Sequence, residues 1–511
     1  MTPSAMTSIE LYGLAPIITL TIVGSLALLL EVAGIPIGAR RLGPRSHIAF
    51  VTVVGIAVAT AFAVNSWRDA CQVQNGACSS LRGLDMFGGQ MVLDRFGILI
   101  TVMTCLAALV AIMLSVHYLR VRDQERGEVF ALICFTAAGM SGLAMSTDLL
   151  SLFVCLELLS VGVYCLAGLD RESGRSAEAA LKYFINGAFA AAILLMGAAL
   201  AYGATRSTSM AALGKAAVNA GDPNHALALV ALALVLAGLA FKAATIPFHA
   251  WVPDVYDGAP APMTAFMAAG VKAAAFAALV RQVVPLVPST GKAADMYIEI
   301  AMVICVGTMT LGNLAALAQR RIKRMLAYSS VAHAGYVLVG VVTVLAGRKE
   351  AVGPIAYYLL AYTFLSLGSF GVVAFLERKE GRGNTFEEWS GAARRYPAAG
   401  VAMCVFIFGL AGIPPTAGFI GKFTLFTEAV KAGLIPLVLI AVLNSLVSVY
   451  YYLRVLVFMY MKEPDRDLQG AGGPWLAVGL AVSALVVLGL GILPGPSLGW
   501  ASDAMSLFAG R

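Results

Sequence analysis

Charged residues are scarce in this sequence. Asp, Glu, Lys and Arg account for 12% of its 511 residues, whereas hydrophobic residues account for 60%. Soluble globular chains carry about 25% charged residues, so this composition excludes that class. It also excludes a disordered chain and a nucleic-acid-binding chain, because both need a more polar sequence. The formal net charge of +7 is better explained by basic loops beside a membrane than by an acidic partner.

Cofactor motifs are missing as well. The sequence contains no phosphate-binding loop, dinucleotide fingerprint, metal-ligand cluster or catalytic triad, so we expect no redox or hydrolytic centre in this chain. Its eight cysteines form no CxxC or CxxCH pattern, and six of them lie in apolar segments, where cysteine is usually a small buried hydrophobe. Cys71 and Cys78 lie in the polar loop CQVQNGAC and are a candidate disulfide if that loop faces an oxidising compartment; otherwise they are two thiols without a role.

Long apolar segments are what the sequence has in abundance. A helix of about 20 apolar residues crosses a bilayer, so the recurrence of such segments predicts an all-α polytopic membrane protein with 14 transmembrane helices. The expected spans are 13–33, 47–65, 95–116, 128–146, 149–168, 179–203, 226–247, 263–285, 295–317, 322–346, 354–376, 399–427, 434–460 and 474–493.

Basic residues are concentrated in alternate connections between these spans. The basic set comprises the clusters at 40–45, 120–126, 171–175, 320–324, 378–395 and 462–466. Because cytoplasmic loops carry the excess of Lys and Arg, this set is predicted to be cytoplasmic. Both termini and the loop with Cys71 and Cys78 are then expected on the opposite side.

Two of the spans are interrupted by helix-breaking residues. Pro247 and Pro253 interrupt the seventh span, and the segment 412–418, with two glycines and two prolines, interrupts the twelfth. Such breaks are tolerated in a membrane only where protein or water satisfies the freed backbone groups, and a matched pair indicates inverted repeats around a transport site. The five-span offset predicts two inverted five-helix repeats, spans 4–8 and 9–13. The expected units are 1–126, 127–290 (first repeat), 291–460 (second repeat) and 461–511.

Some charged residues lie inside long apolar segments, and those that stand out are Glu157, Lys182, Lys242, Lys272 and Lys422. A charge at mid-membrane depth costs about 2.5–3.5 kcal/mol even on lenient scales, so these residues indicate a path for ions or protons. Burial disfavours the charged form of a group and a nearby opposite charge restores it. A glutamate that approaches and leaves a lysine therefore switches the proton of that lysine. The alternative is a static ion pair that fixes helix packing, and Lys182, near the start of its span, can also extend to the interface.

Two histidines and several hydroxyl side chains accompany these charges. His249 follows the seventh span, and His333 lies in the tenth. Both are candidate proton relays, because the unperturbed pKa of histidine is about 6.5; the alternative is a hydrogen-bonded packing residue. The hydroxyl groups that can order water along a path are those of Tyr164, Tyr183, Thr245, Thr264, Ser329 and Ser330.

Five segments resemble the antiporter-like subunits of proton-pumping NADH:quinone oxidoreductase, respiratory complex I, and are most similar to subunit N, the counterpart of mitochondrial subunit 2. These segments are LELLSVGVYCLAGL, AEAALKYFINGAFAAAILLMGAALAYG, FKAATIPFHAWVPDVYDGAPAP, KRMLAYSSVAHAGYVLVG and GIPPTAGFIGKFTLF. The resemblance covers about residues 90–460. A lysine at position 422 favours subunit N over subunit M, and the short segment after the last span argues against subunit L.

The resemblance implies 14 helices in two inverted repeats and gives each charge a role. Glu157 and Lys242 would be the switching pair of one half channel, Lys272 the central relay and Lys422 the residue of the other half channel. Lys182 and His249 match a lysine and a histidine of the subunit N pattern.

The function that this implies is proton translocation in the inner membrane of a bacterium, as one subunit of an enzyme complex. NAD, FMN, iron–sulfur clusters and quinone are expected in or at partner membrane and peripheral subunits, and the quinone pool is reached only indirectly. The alternatives are a subunit of a multi-subunit Na⁺/H⁺ antiporter of the Mrp type, a membrane subunit of an energy-converting hydrogenase, and an assembly protein whose charges only hold helices together.

Overall fold

The apolar segments form helices because a bilayer offers no water to the backbone, and a helix satisfies its own N–H and C=O groups. The computed structural model of the chain describes residues 8–33, 46–70, 72–74, 77–80, 83–286, 292–378, 383–463 and 469–505. The helices up to residue 283 are α1 (Ser8–Gly13), α2 (Ala15–Ala33), α3 (Ser46–Asp69), α4 (Arg95–Val121), α5 (Gly127–Met145), α6 (Leu149–Ala167), α7 (Gly174–Thr205), α8 (Met210–Val218), α9 (His225–Ala243), α10 (Trp251–Gly258), α11 (Ala261–Phe266) and α12 (Lys272–Val283).

The second part of the chain continues in the same way. Its helices are α13 (Lys292–Leu317), α14 (Ile322–Leu345), α15 (Val352–Leu376), α16 (Ala392–Arg395), α17 (Pro397–Ala411), α18 (Ala417–Lys431), α19 (Ile435–Met461), α20 (Pro474–Ile492) and α21 (Pro494–Met505). Short 3₁₀ turns lie at Phe87–Gly89, Val284–Leu286, Lys349–Ala351 and Glu387–Trp389, and a π-helical turn, Met267–Val271, joins α11 to α12.

Thirteen helical segments of the described residues are long and apolar enough to cross a membrane. The prediction of an all-α polytopic membrane fold is therefore confirmed. The predicted span 399–427, which was expected to be interrupted, consists of α17 and α18, each with 15 residues. The number of 14 spans, the two repeats and the four predicted units stay predictions.

Four short strands lie in the connection between α3 and α4, where the sequence predicted only a polar loop. They are β1 (Gln72–Gln74), β2 (Ala77–Ser80), β3 (Leu84–Met86) and β4 (Met91–Leu93), paired as antiparallel hairpins β1–β2 and β3–β4. Met86 and Leu93 of the second hairpin are buried, which holds this connection against the membrane helices. Cys71 lies outside the described residues, as does the side chain of Cys78, so their disulfide stays a prediction.

Three of the described segments are the most deeply buried spans of the protein. Ala261–Leu286 is buried along its whole length, and Ile322–Leu345 and Lys349–Leu376 are almost as deeply buried. Ala15–Ala33, Ser46–Trp67 and Asp295–Leu317 lie at the periphery and present most of their surface outward. Any polar group on the three central segments is therefore far from lipid and has to be satisfied within the protein.

Both interrupted helices break with the same backbone course. After α9 ends at Ala243, Ala244 adopts a left-handed conformation with φ 61°, and the Ile246–Pro247 peptide bond is cis before α10 begins. After α17 ends, Gly412 is left-handed with φ 84°, and the Pro414–Pro415 bond is cis before α18 begins. The two breaks lie where the prolines of the sequence predict them.

Candidate functional site

Lys242 lies in the last turn of α9, inside a box of aromatic side chains. Its Nζ atom donates a hydrogen bond to Tyr164 Oη on α6 over 3.3 Å. It also lies 4.8 Å from the centroid of the Tyr164 ring and 5.0 Å from that of Tyr183 on α7. Only 3% of the residue is exposed. Aromatic faces stabilise a desolvated ammonium by about 2 kcal/mol, and a helix C-terminus also favours a cation, so the box offsets part of the cost of burying the Lys242 ammonium without a bound carboxylate.

Glu157 is near Lys242 but is not bonded to it. It lies on α6, partly buried, and acts on Lys242 electrostatically. Among the described residues it forms no ion pair within 4.0 Å, and its buried Oε1 atom has no hydrogen-bond partner. The predicted switching pair is thus brought together in an unpaired arrangement, with a carboxylate oxygen still free to accept a proton or a cation.

The break after α9 is satisfied by the protein, as expected for irregular backbone at membrane depth. Trp251 Nε1 donates to the carbonyl oxygen of Phe241 over 3.2 Å, and the Ile246 N–H donates to Thr308 Oγ1 of α13 over 3.1 Å. His249 lies in the same break, and its buried Nδ1 atom has no partner among the described residues. An unsatisfied ring nitrogen at this place is compatible with the predicted relay, which stays a prediction.

Lys272 lies at the centre of the molecule, directly after the π-helical turn. Such turns are rare and are frequent at functional sites. Its Nζ atom donates to the carbonyl oxygen of Ser330 on α14 and, over 2.5 Å, to Ser330 Oγ. The Ser330 hydroxyl also interacts with the hydroxyl groups of Tyr256 and Tyr362. The predicted central relay therefore sits in a cluster of hydroxyl groups without a carboxylate partner among the described residues.

His333 lies on α14 between Lys272 and Lys422, and both lysines act on it electrostatically. Its Nδ1 atom is 2.6 Å from Tyr358 Oη, and its Nε2 atom is 2.9 Å from Tyr452 Oη. Both ring nitrogens therefore have a hydroxyl partner that can accept or donate, according to the tautomer. This geometry accommodates a relay and a packing residue alike.

Lys422 lies on α18, after the second break, and caps the helix before it. Its Nζ atom donates to the carbonyl oxygens of Leu410 over 3.1 Å and Ala411 over 3.0 Å, at the end of α17. It also donates to Ser445 Oγ of α19 over 2.9 Å and lies 4.8 Å from the centroid of the Tyr336 ring. The two breaks are thus satisfied differently: a tryptophan caps the first, and the lysine itself caps the second.

Lys182 occupies a different environment from the three buried lysines. Its side chain is 42% exposed and forms ion pairs with Glu178 over 2.7 Å and with Asp254 over 2.8 Å. Asp254, on α10, is also 2.9 Å from Arg324. Burial alone would raise the pKa of Asp254, but Lys182 and Arg324 outweigh it and lower that pKa. Lys182 therefore belongs to a charge-compensated cluster near the predicted cytoplasmic side.

The sequence analysis missed three buried ion pairs, and Glu377 belongs to two of them, with Lys323 and with Arg122, which follows α4. Lys323 of α14 pairs with Glu377 at the end of α15, and Arg281 of α12 pairs with Asp94 at the start of α4. Each member lies within about one turn of a span end, where a charge is normally taken to be solvated. An acid directly at the end of an apolar run, as in Glu377, is the signal that was available. The described residues contain no group of three or more His, Cys, Asp or Glu suited to a metal, and the expected absence of a cofactor stays a prediction.

Comparison with known proteins identifies relatives along the whole chain. The family described as "NADH:quinone oxidoreductase/Mrp antiporter, TM" matches residues 146–448, more than half of the chain. NADH-quinone oxidoreductase subunit N of Myxococcus xanthus DK1622 is 42% identical over 525 residues, covering 97% of this chain and 97% of the relative.

Two solved structures share the fold. A chain of respiratory complex I from Thermus thermophilus with bound aureothin is 33% identical, with a TM-score of 0.77, covering 95% of this chain and 98% of that chain. A chain of the Mrp complex from Dietzia sp. DQ12-45-1b has a TM-score of 0.82 at 23% identity, covering 99% of this chain and 98% of that chain. The second likeness concerns the fold alone, because both kinds of complex share this fold. The sequence identity is higher to the complex I chain, 33%, than to the Mrp chain, 23%.

Proposed function

Since the chain belongs to the NADH:quinone oxidoreductase/Mrp antiporter family, and within it to the subunit N proteins, we propose that it translocates protons as a membrane subunit of NADH-quinone oxidoreductase. Electron transfer from NADH to quinone takes place in other subunits, which hold the NAD, FMN and iron–sulfur sites. The chain is a multi-pass protein of a bacterial inner membrane, with both termini periplasmic, and its partners are the other membrane and peripheral subunits of the complex.

One observation carries this proposal: three lysines, Lys242, Lys272 and Lys422, lie at least 95% buried within or beside the central membrane segments. Burying a lysine inside a membrane protein costs free energy. A charged residue at membrane depth therefore marks an ion or proton path by default. Hydroxyl groups and an imidazole connect two of the three lysines. Ser330, Tyr362 and His333 lie in contact from Lys272 toward Lys422.

The direction of transfer that we propose runs from the cytoplasm through Lys182, Lys242 and Lys272 to Lys422 and then outward. The half-exposed position of Lys182 among Glu178 and Asp254 suits the entry of protons better than a buried relay. Glu157 modulates Lys242, and His249 and His333 complete the relay. Energy from the redox subunits enters by moving Glu157 relative to Lys242, since an opposite charge at short range decides whether a buried lysine stays protonated.

The test is proton uptake by membrane vesicles that contain the complete complex, driven by NADH. Lys242→Ala and Lys272→Ala are each expected to lower the rate of proton uptake about tenfold or more, in line with the loss of a group that carries the proton. Lys215→Ala, which changes an exposed lysine on α8, is the matched control and should leave the rate unchanged.

Assembly has to be measured in the same membranes, because an assembly protein is the main rival. Equal loss of complex and of proton uptake in both lysine variants would favour that rival. Normal proton uptake per NADH in Lys242→Ala would refute the proposed function.

A further inference from the structure

The hydrogen-bond acceptor of Lys242 is a tyrosine, although a glutamate lies nearby. Among the described residues, Tyr164 Oη is the acceptor for its Nζ atom, and the remaining neighbours of the ammonium are the faces of Tyr164, Tyr183 and Phe241. A carboxylate is the stronger acceptor for an ammonium group. Some feature of the structure must therefore keep the Lys242 ammonium group on the Tyr164 hydroxyl and away from Glu157.

The position of the Tyr164 hydroxyl is set by a glycine of the next helix. A Cβ atom at Gly187 of α7 would lie 1.8 Å from Tyr164 Oη and 2.5 Å from its Cζ atom, so only glycine leaves room for this hydroxyl. The ring is fixed edge-to-face against Tyr183, with centroids 4.8 Å apart, and against Phe184, with centroids 5.9 Å apart. The hydroxyl is thus placed by packing between α6 and α7 and does not depend on Lys242 for its position.

Tyr164 and Glu157 also share one face of α6. They are seven residues apart, which is two helical turns, and Ser160 lies between them on that face. Tyr164 interacts with the Ser160 side chain, and the Ser160 hydroxyl donates to the carbonyl oxygen of Leu156. Because Oη can donate its own proton toward Ser160, it is free to accept from Lys242. The hydroxyl and the carboxylate are two alternative acceptors for the same ammonium, presented by the same helix.

We propose that Tyr164 is a positioning residue for proton transfer: its hydroxyl, seated against Gly187, holds Lys242 in the unpaired state, and Glu157 competes with it for the ammonium. This inference rests on the proposed function. In the structure the Tyr164 hydroxyl accepts the hydrogen bond of the Lys242 ammonium group, so Lys242 and Glu157 are in the separated state of the switch. When Glu157 pairs with the ammonium group, Lys242 keeps its proton. When the Tyr164 hydroxyl is the acceptor instead, Lys242 can release that proton toward Lys272, the next group of the proposed path.

The groups that titrate around Lys242 come from two helices. Glu157 and Tyr164 face it from α6, and Tyr183 faces it from α7. Among the described residues, Glu157 is the charged side chain that interacts electrostatically with Lys242. No charged side chain of α8, α12 or the break after α9 has such an interaction with Lys242. A change in the pH dependence that follows loss of the Tyr164 hydroxyl therefore reports on the competition with Glu157.

The experiment compares Tyr164→Phe with Tyr202→Phe, which changes an exposed tyrosine on α7, in the complete complex, by the pH dependence of NADH-driven proton uptake into vesicles. Tyr164→Phe keeps the ring but removes the competing acceptor, so Lys242 pairs with Glu157 and keeps its proton to higher pH. We expect the alkaline limb of the profile to move up by about one pH unit. Tyr202→Phe makes the same chemical change on the outer surface of α7, away from Lys242, so the profile should stay in place.

The same substitution in a Glu157→Gln background distinguishes competition from simple loss of a hydrogen bond. Without the carboxylate, removal of the Tyr164 hydroxyl only deprives the ammonium of an acceptor, so the limb should move to lower pH. Gly187→Ala, which displaces the hydroxyl, should reproduce the alkaline shift. Gly203→Ala on the same helix meets only a distant side-chain atom of Leu227, 3.8 Å away, and is the control.

An unshifted profile in Tyr164→Phe, or an acid shift with Glu157 present, would overturn the inference even if the rate falls. That result leaves the proposed function standing as long as Lys242→Ala still abolishes uptake. Normal uptake in Lys242→Ala would instead remove the proposed function itself.

Discussion

Lys323 and Glu377 form an ion pair in the interior of the protein, with 2.8 Å between Nζ and Oε1 and with 1% and 4% of the two side chains exposed. Glu377 also accepts a hydrogen bond from the Tyr118 hydroxyl over 2.6 Å. Lys323 donates in addition to the carbonyl oxygen of Ala259 over 2.6 Å, between α10 and α11. The pair thus fastens α14 and α15 to the segment that leads into the Lys272 turn.

Removing one partner of this pair should destabilise the protein strongly. Glu377→Gln leaves both Lys323 and Arg122 without their buried acid, which costs about 3–5 kcal/mol, whereas Lys323→Met leaves Glu377 with Arg122 as its remaining ion partner. The double variant Lys323→Met with Glu377→Gln leaves Arg122 but not Lys323 without the acid, so it should be less destabilised than Glu377→Gln alone. The measurement is the apparent melting temperature of the detergent-purified complex. Additive losses in the double variant would show that the two charges do not depend on each other.

The same glutamate should make stability depend on acid. Burial would raise the pKa of Glu377, but Lys323, Arg122 and the hydrogen bonds to it lower the pKa from its ordinary 4.5 to about 2. A lowered folded-state pKa means that its stabilisation is complete above about pH 4.5 and is lost as the pH falls toward 2. Melting temperatures measured from pH 7 to pH 3 should fall more steeply below pH 4.5 for the wild type than for Glu377→Gln. Parallel curves would assign the acid sensitivity to other groups.

Lys422 should contribute to stability through its positive charge and to proton transfer through its ability to release a proton. Its ammonium caps Leu410 and Ala411, so Lys422→Met should lower both the melting temperature and the rate of proton uptake. Lys422→Arg keeps a cation for the carbonyl groups but does not release its proton. We expect Arg to retain more stability than Met while proton uptake stays as low. Exposed Lys431 on the same helix gives the control, Lys431→Ala.

Arg281 should resist even a conservative replacement. Two of its nitrogens bond the two carboxylate oxygens of Asp94, over 2.7 and 2.6 Å, and its Nε atom bonds the carbonyl oxygen of Ala144 over 2.5 Å. A lysine cannot reproduce this forked geometry. Arg281→Lys should therefore lower the melting temperature nearly as much as Arg281→Met, without a shift in the pH dependence of proton uptake. A fully stable Arg281→Lys protein would show that charge alone is sufficient.

Prediction from the sequence was most successful for features that depend on the residues of a single segment. Hydropathy over about 20 residues gave the spans, since lipid enforces a helix regardless of neighbours. Prolines located both helix breaks. The hairpins between α3 and α4 were missed because short strands pair only through a register that apolar periodicity does not report.

The sequence by itself determined that Lys242, Lys272 and Lys422 are buried, because an apolar segment that crosses a membrane carries its charges with it. Tertiary structure alone decided what each lysine binds. Lys242 donates to Tyr164, 78 positions away, whereas Lys182, near the start of its span, pairs with Glu178 and Asp254 and is half exposed. The physical reason is range: burial depends on the local segment, but a hydrogen-bond partner depends on which faces of distant helices pack together.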